Sequence, residues 1–106
     1  MICDINVFKR IYDLECRHVK RLKNEFVMIT IDFNEVELPI PFSEAISKIA
    51  VMLRACDAIS FSNDKIYLLL QDMSMLSSGI IMGRFNQFCQ DLKLTKKPSI
   101  DIKEIS

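Results

Sequence analysis

Residues 57–70, DAISFSNDKIYLLL, are two short apolar runs that meet at Asn63-Asp64. Asn and Asp tolerate the left-handed backbone that a two-residue turn between antiparallel strands requires. The stretch therefore reads as a hairpin, with strands over Ala58–Ser62 and Lys65–Gln71 and a turn at Asn63-Asp64.

The segments on either side extend this reading. Residues 25–33, EFVMITIDF, are β-branched and apolar enough for a buried strand ending near Asp32. Residues 34–41, NEVELPIP, hold two prolines and read as a connection. Residues 41–55, PFSEAISKIAVMLRA, open on Pro41, offer Ser43 as a cap and repeat apolar residues at a spacing of three to four, which predicts a helix. Upstream, residues 5–23 place Phe8, Tyr12, Cys16, Val19 and Leu22 at helical spacing with Lys and Arg on the other face, an amphipathic helix. Residues 74–94 predict a third helix and residues 98–105, PSIDIKEI, a last strand. The order helix, strand, helix, hairpin, helix, strand predicts an α/β sandwich whose mixed, mostly antiparallel sheet is flanked by helices.

Composition narrows the function. The 106 residues suffice for one domain, and 14 Lys and Arg balance 14 Asp and Glu. That neutrality argues against general nucleic-acid binding, which needs a strongly basic face. No apolar run reaches the roughly 18–20 residues that span a bilayer; the best, AISKIAVML, is short and contains Lys48. The opening MICDINVFKR lacks a signal-peptide layout. Cys3, Cys16, Cys56 and Cys89 form no CxxC pair, and with a single histidine they make no zinc site; they read as reduced thiols of a cytoplasmic protein.

In this order of elements, and in the stretches FKRIYDLECRHVKRLKNEFVMITIDFN and AISKIAVMLRACDAISFSNDKIYLLLQDMSMLSSGIIMGRF, the chain resembles the GGDEF domain, the family of diguanylate cyclases and their inactive relatives. The resemblance covers essentially the whole chain and implies a GGDEF, nucleotidyl-cyclase-like sandwich. It places the family's Gly-Gly-Asp/Glu-Glu-Phe turn on Asn63, Asp64, Lys65, Ile66 and Tyr67, of which only the aromatic is kept. The family's chemistry needs a glycine backbone close to the nucleotide, and carboxylates that hold two divalent cations on the phosphates. Lysine at a ligand position repels a cation and isoleucine cannot coordinate one. Gly79 and Gly83, the only glycines, lie in the third helix, so no shifted register restores a glycine-rich loop. The segment that reads guanine after the first strand is missing, which leaves Asp32 or Asn34 as the sole match to the strand's metal-ligand Asp. The resemblance thus implies a catalytically inactive domain with no metal site.

Arg54-Ala55-Cys56-Asp57 matches the family's allosteric RxxD, with the same five residues between Asp57 and the turn. Arg84 falls near the place of a second arginine. Guanidinium groups bond phosphate or a guanine edge in bidentate fashion, and an Asp accepts from guanine N–H groups. The resemblance implies a cyclic di-GMP receptor built on Arg54, Asp57 and Arg84. The alternative is a scaffold or dimerisation module that binds a protein partner or a second copy and no nucleotide, with Arg54 serving only to cap a helix end.

Other residues have plainer readings. Glu15 and His18 at i, i+3 resemble half of a carboxylate–histidine metal site but lack matching ligands, so they read as a surface pair. Lys9, Arg10, Arg17, Lys20, Arg21 and Lys23 are interrupted by acids and read as a solvated face. Cys56 reads as a small packed residue rather than a redox switch, and Met73, Met75 and Met82 as core filling.

Overall fold

A computed structural model describes residues 2–22, 26–53, 57–71, 75–94 and 96–105. Its elements run α1 (Ile5–Leu22), β1 (Phe26–Asp32), α2 (Phe42–Ala50), β2 (Ala58–Ser62), β3 (Lys65–Gln71), α3 (Met75–Asp91) and β4 (Ser99–Ile105). The strands form one sheet in the order β2-β3-β1-β4. The hairpin strand β3 lies between β2 and β1, so the chain from β1 through α2 to β2 is a split βαβ unit. All three ladders are antiparallel. The sheet is thus mostly antiparallel, as expected, and the parallel pairing among the described residues is an isolated bridge between Ile2 and Ile59.

Alternation along the strands divides the interior into two layers. Val27, Ile29 and Ile31 of β1, with Ile66, Leu68 and Leu70 of β3, face α2 and α3, where Ala45, Ile46, Ile49, Ile81, Phe85 and Phe88 complete the main core. Each such side chain contributes about 1.5–3 kcal/mol by leaving water. A file of aromatic rings runs along this layer, from Phe61 to Phe42 (6.2 Å), Phe33 (6.0 Å) and Phe85 (6.3 Å), and on to Phe88 (5.8 Å). The opposite faces of the same strands carry Phe26, Met28, Tyr67, Leu69 and Ala58, and these are covered by Phe8, Ile11, Tyr12 and Cys16 of α1. No described helix is long and apolar enough to cross a membrane.

Helix ends add one cap to the sequence reading and depart from it at both ends of α2. Asp4 caps α1, its Oδ1 accepting the Asn6 N–H at 2.8 Å. Ser43 is not the cap of α2: the N-cap is Pro41, whose carbonyl accepts from Glu44 and Ala45, while Ser43 lies inside the helix and its carbonyl takes the Ser47 hydroxyl at 3.2 Å. Pro41, extended at φ −58° and ψ 147°, fixes the entry two residues before the polar side chain that suggested a cap. Helix α2 also stops at Ala50, because Met52 and Leu53 donate back only three residues and Val51 faces outward, 84% exposed.

Helix α3 ends in a Schellman motif: Leu94 N–H reaches the Cys89 carbonyl, Lys93 N–H reaches Gln90, and Lys93 is left-handed at φ 53°. A side chain with a Cβ is strained there, where glycine is not. Lys93→Gly is expected to raise the unfolding free energy by about 0.5–1 kcal/mol, read from urea denaturation. A loss of stability would show that the Lys93 side chain, not its backbone, matters at this end.

Candidate functional site

The hairpin turn and the end of β1 are built as one unit. Asn63 takes the left-handed conformation at φ 55°, closing a two-residue turn of the kind expected from Asn-Asp. The Phe33 N–H bonds the Asp64 carbonyl at 2.8 Å and ties the turn to β1. The ladder between β1 and β3 sets Asp32 directly opposite Lys65. Beyond β1 the chain folds back: Asp32 Oδ1 accepts the Asn34 N–H at 2.8 Å, and Glu35 is left-handed at φ 66°. Lys96 bonds Glu35 at 2.9 Å and anchors this bend to the segment before β4. That hydrogen bond, and then the charge behind it, hold the Glu35 carboxyl below its usual range.

Two shallow depressions of about 320 Å³ each flank Lys65. One is lined by Asp32, Asn34, Asn63, Asp64 and Lys65. The other adds Thr30, Ser99, Ile100 and Asp101 to Asp32 and Lys65. Three carboxylates, Asp32, Asp64 and Asp101, thus line these depressions along with one ammonium group. The donors do not fit a divalent cation, because a cation beside Asp32 would have to share the rim with Lys65. Among the described residues, no three His, Cys, Asp or Glu side chains cluster as a metal site would require.

The five residues of the turn do not share one surface. Asn63, Asp64 and Lys65 line the depressions. Ile66 is fully buried among the residues facing α2 and α3. Tyr67 points the other way, its ring 6.1 Å from Phe8. With Ile5, Lys9, Tyr12, Asp13, Met28 and Ser62 these two rings line a cleft of about 370 Å³ between α1 and the sheet. Sequence reasoning missed this cleft. The rings that line it from α1, Phe8 and Tyr12, belong to the apolar stripe that marks the helix as amphipathic, and periodicity does not distinguish a stripe that seals from one that leaves a gap.

Of the RxxD residues, Arg54 and Cys56 lie outside the described residues. Asp57 stands just before β2 and is 0% exposed. It has an interaction partner, and no buried side-chain oxygen or nitrogen among the described residues lacks a hydrogen bond. Arg84 is exposed on α3 and donates from Nη1 to the Met52 carbonyl at 3.2 Å, just beyond the end of α2. The role of capping the end of α2, considered for Arg54, is filled at this carbonyl by Arg84. The contact also brings the Arg84 guanidinium to the chain two residues before Arg54.

The remaining candidates separate in the same way. Lys9, Arg10 and Arg17 are exposed on α1, and Met82 packs partly buried against the core. The side chains of Glu15, His18, Lys20, Arg21, Lys23, Met73 and Met75 lie outside the described ones. Cys3, Cys16 and Cys89 are free thiols. Burial pushes the titration of Cys3 and Cys89 upward.

No protein-family model matches the sequence. No curated protein matches it either. Among solved structures the chain is similar to a DGC (diguanylate cyclase) protein from Thermotoga maritima, with a TM-score of 0.73, 14% sequence identity, and coverage of 98% of this chain and 82% of that one. At that identity the likeness is one of fold: the α/β sandwich is GGDEF-like.

The burial of Asp57 bears on any test of the RxxD residues. Asp57→Ala removes a buried carboxylate and leaves its partner unmet, so it should cost about 1–3 kcal/mol of stability in a thermal or urea melt. An unchanged melt would mean that Asp57 reaches solvent and is available to a ligand.

Proposed function

We propose that this chain is a GGDEF-like regulatory domain that does not make cyclic di-GMP and acts by binding. The observation that carries the reading is the pairing of Lys65 with Asp32 on the rim of the hairpin. In the family, a carboxylate at the place of Lys65 works with the strand Asp to hold cations against phosphate. Here the register sets a lysine opposite the strand Asp, so a cation bound at that carboxylate would meet a like charge. A GTP triphosphate would lack both its bridging metal and a glycine backbone to lie against. The similarity to a DGC protein supports the ancestry of the fold, and the residues at the turn support the loss of the chemistry. Incubation with GTP and Mg²⁺ or Mn²⁺, followed by chromatography of the nucleotides, is expected to return GTP unchanged. Accumulation of cyclic di-GMP above a no-protein control would overturn the reading.

Binding leaves two forms. One is a module for protein contacts. The other is a receptor for cyclic di-GMP, favoured by Arg84, whose guanidinium lies against the segment leading into Arg54. If the receptor form holds, arginines carry the recognition, since Asp57 is buried. Calorimetric titration of cyclic di-GMP then gives saturable binding that Arg54→Ala abolishes and Arg84→Ala weakens by about tenfold, the worth of a charged hydrogen bond. A flat titration with the intact protein leaves the protein-contact module.

A further inference from the structure

The two edges of the sheet are treated differently. At the β2 edge the chain's own beginning intervenes: Ile2 bridges Ile59, the Cys3 N–H bonds the Ile59 carbonyl at 2.9 Å, and the Ser60 hydroxyl bonds the Cys3 carbonyl at 2.8 Å. At the other edge β4 runs for seven residues, and no described strand pairs with its outer side. An unpaired strand of this length is a template for another strand.

Its outward groups can be assigned. The Phe33 N–H points to the β3 side of β1, so by alternation the odd residues of β1 bond β3 and the even ones bond β4. Asp32, Thr30 and Met28 face Ser99, Asp101 and Lys103, which therefore turn their amides inward. Ile100, Ile102 and Glu104 turn theirs outward.

We propose that β4 is an interface between two copies of this chain, paired antiparallel about a two-fold axis through Ile102. In this register Ile102 meets its own counterpart, and Ile100 meets Glu104. These outward residues form the hydrogen-bonded pairs. Asp101 meets Lys103 twice, once on each side of the axis. Both are exposed and lie on the same face of the sheet. They form non-hydrogen-bonded pairs, the kind in which opposed side chains come closest. The interface is isologous, as a two-fold requires. The nearest alternative registers with the same alternation slip by two residues. One sets Asp101 against Asp101, the other Lys103 against Lys103, and like charges directly opposed are destabilising. The charges thus favour one pairing and oppose its neighbours, which lone edge lysines placed only to deter aggregation would not do. Glu104 already has a partner in its own chain and is not needed as an ion pair.

The inference deepens the binding-module reading, and its test does not touch GTP turnover. Sedimentation equilibrium across a concentration series is expected to show a reversible dimer. Lys103→Asp opposes two pairs of aspartates and should weaken dimerisation by about tenfold or more, as should Asp101→Lys. The double exchange Asp101→Lys with Lys103→Asp restores the complementary pairs and should restore the dimer, with circular dichroism checking that each variant folds. A monomer throughout the series overturns the proposal. So does a dimer that the single variants leave intact, or one that the double exchange fails to recover.

Discussion

The structure depends on β1. It is the only described strand bonded on one side to the hairpin and on the other to β4 while carrying apolar residues on both faces. Val27, Ile29 and Ile31 anchor the layer shared with α2 and α3, and Phe26 and Met28 anchor the layer under α1. A slip of one residue against β3 would exchange the two sets and place α1 against the wrong surface. The register is therefore fixed by the whole core. The position of Lys65 opposite Asp32 is a consequence of that register and needs no attraction between the two.

The same constraint shapes the rim. β1 ends where its even-numbered face runs out of apolar residues, at Thr30 and Asp32. Helix α1 covers the apolar half of that face and leaves Asp32, Lys65 and Asp101 in the open. A polar rim beside a sealed interior is the natural location for recognition on such a sheet. The charges on this rim, Asp32, Asp64 and Asp101 against Lys65, leave it net acidic.

Much of this was legible in the sequence because it rests on short-range patterns. The hairpin was marked by Asn63-Asp64, and α1 and α2 by their periodicity. What failed were statements about which of several adequate groups is used. Ser43 is a good capping residue, yet Pro41 fixes the helix start by its backbone. The end of α2 was read through Arg54, while its departure from helical bonding begins at Met52, where Arg84 from a distant helix takes the carbonyl. The resemblance gives Asp57 a ligand role by its spacing, and spacing does not carry the burial that the fold gives it. Spacing along the chain reports which residues are near one another and says little about which way they face.

The two positions where the resemblance would place carboxylates, Lys65 and Ile66, are not equivalent. Residue 65 stands on the open rim, where lysine and glutamate are both easily solvated and an exchange of charge costs little. Residue 66 alternates into the main core, flanked across the sheet by Ile31 and Phe61 and fully buried. A glutamate there in this chain would lose its hydration without a partner, and would either remain protonated or open the core. The hydrophobic layer has absorbed that position. On the proposed reading, restoring a carboxylate at 65 requires only a local change, whereas restoring one at 66 requires the rings of Phe61, Phe42 and Phe33 to repack around it. Packing, more than the lysine, is what holds this hairpin in its present chemistry.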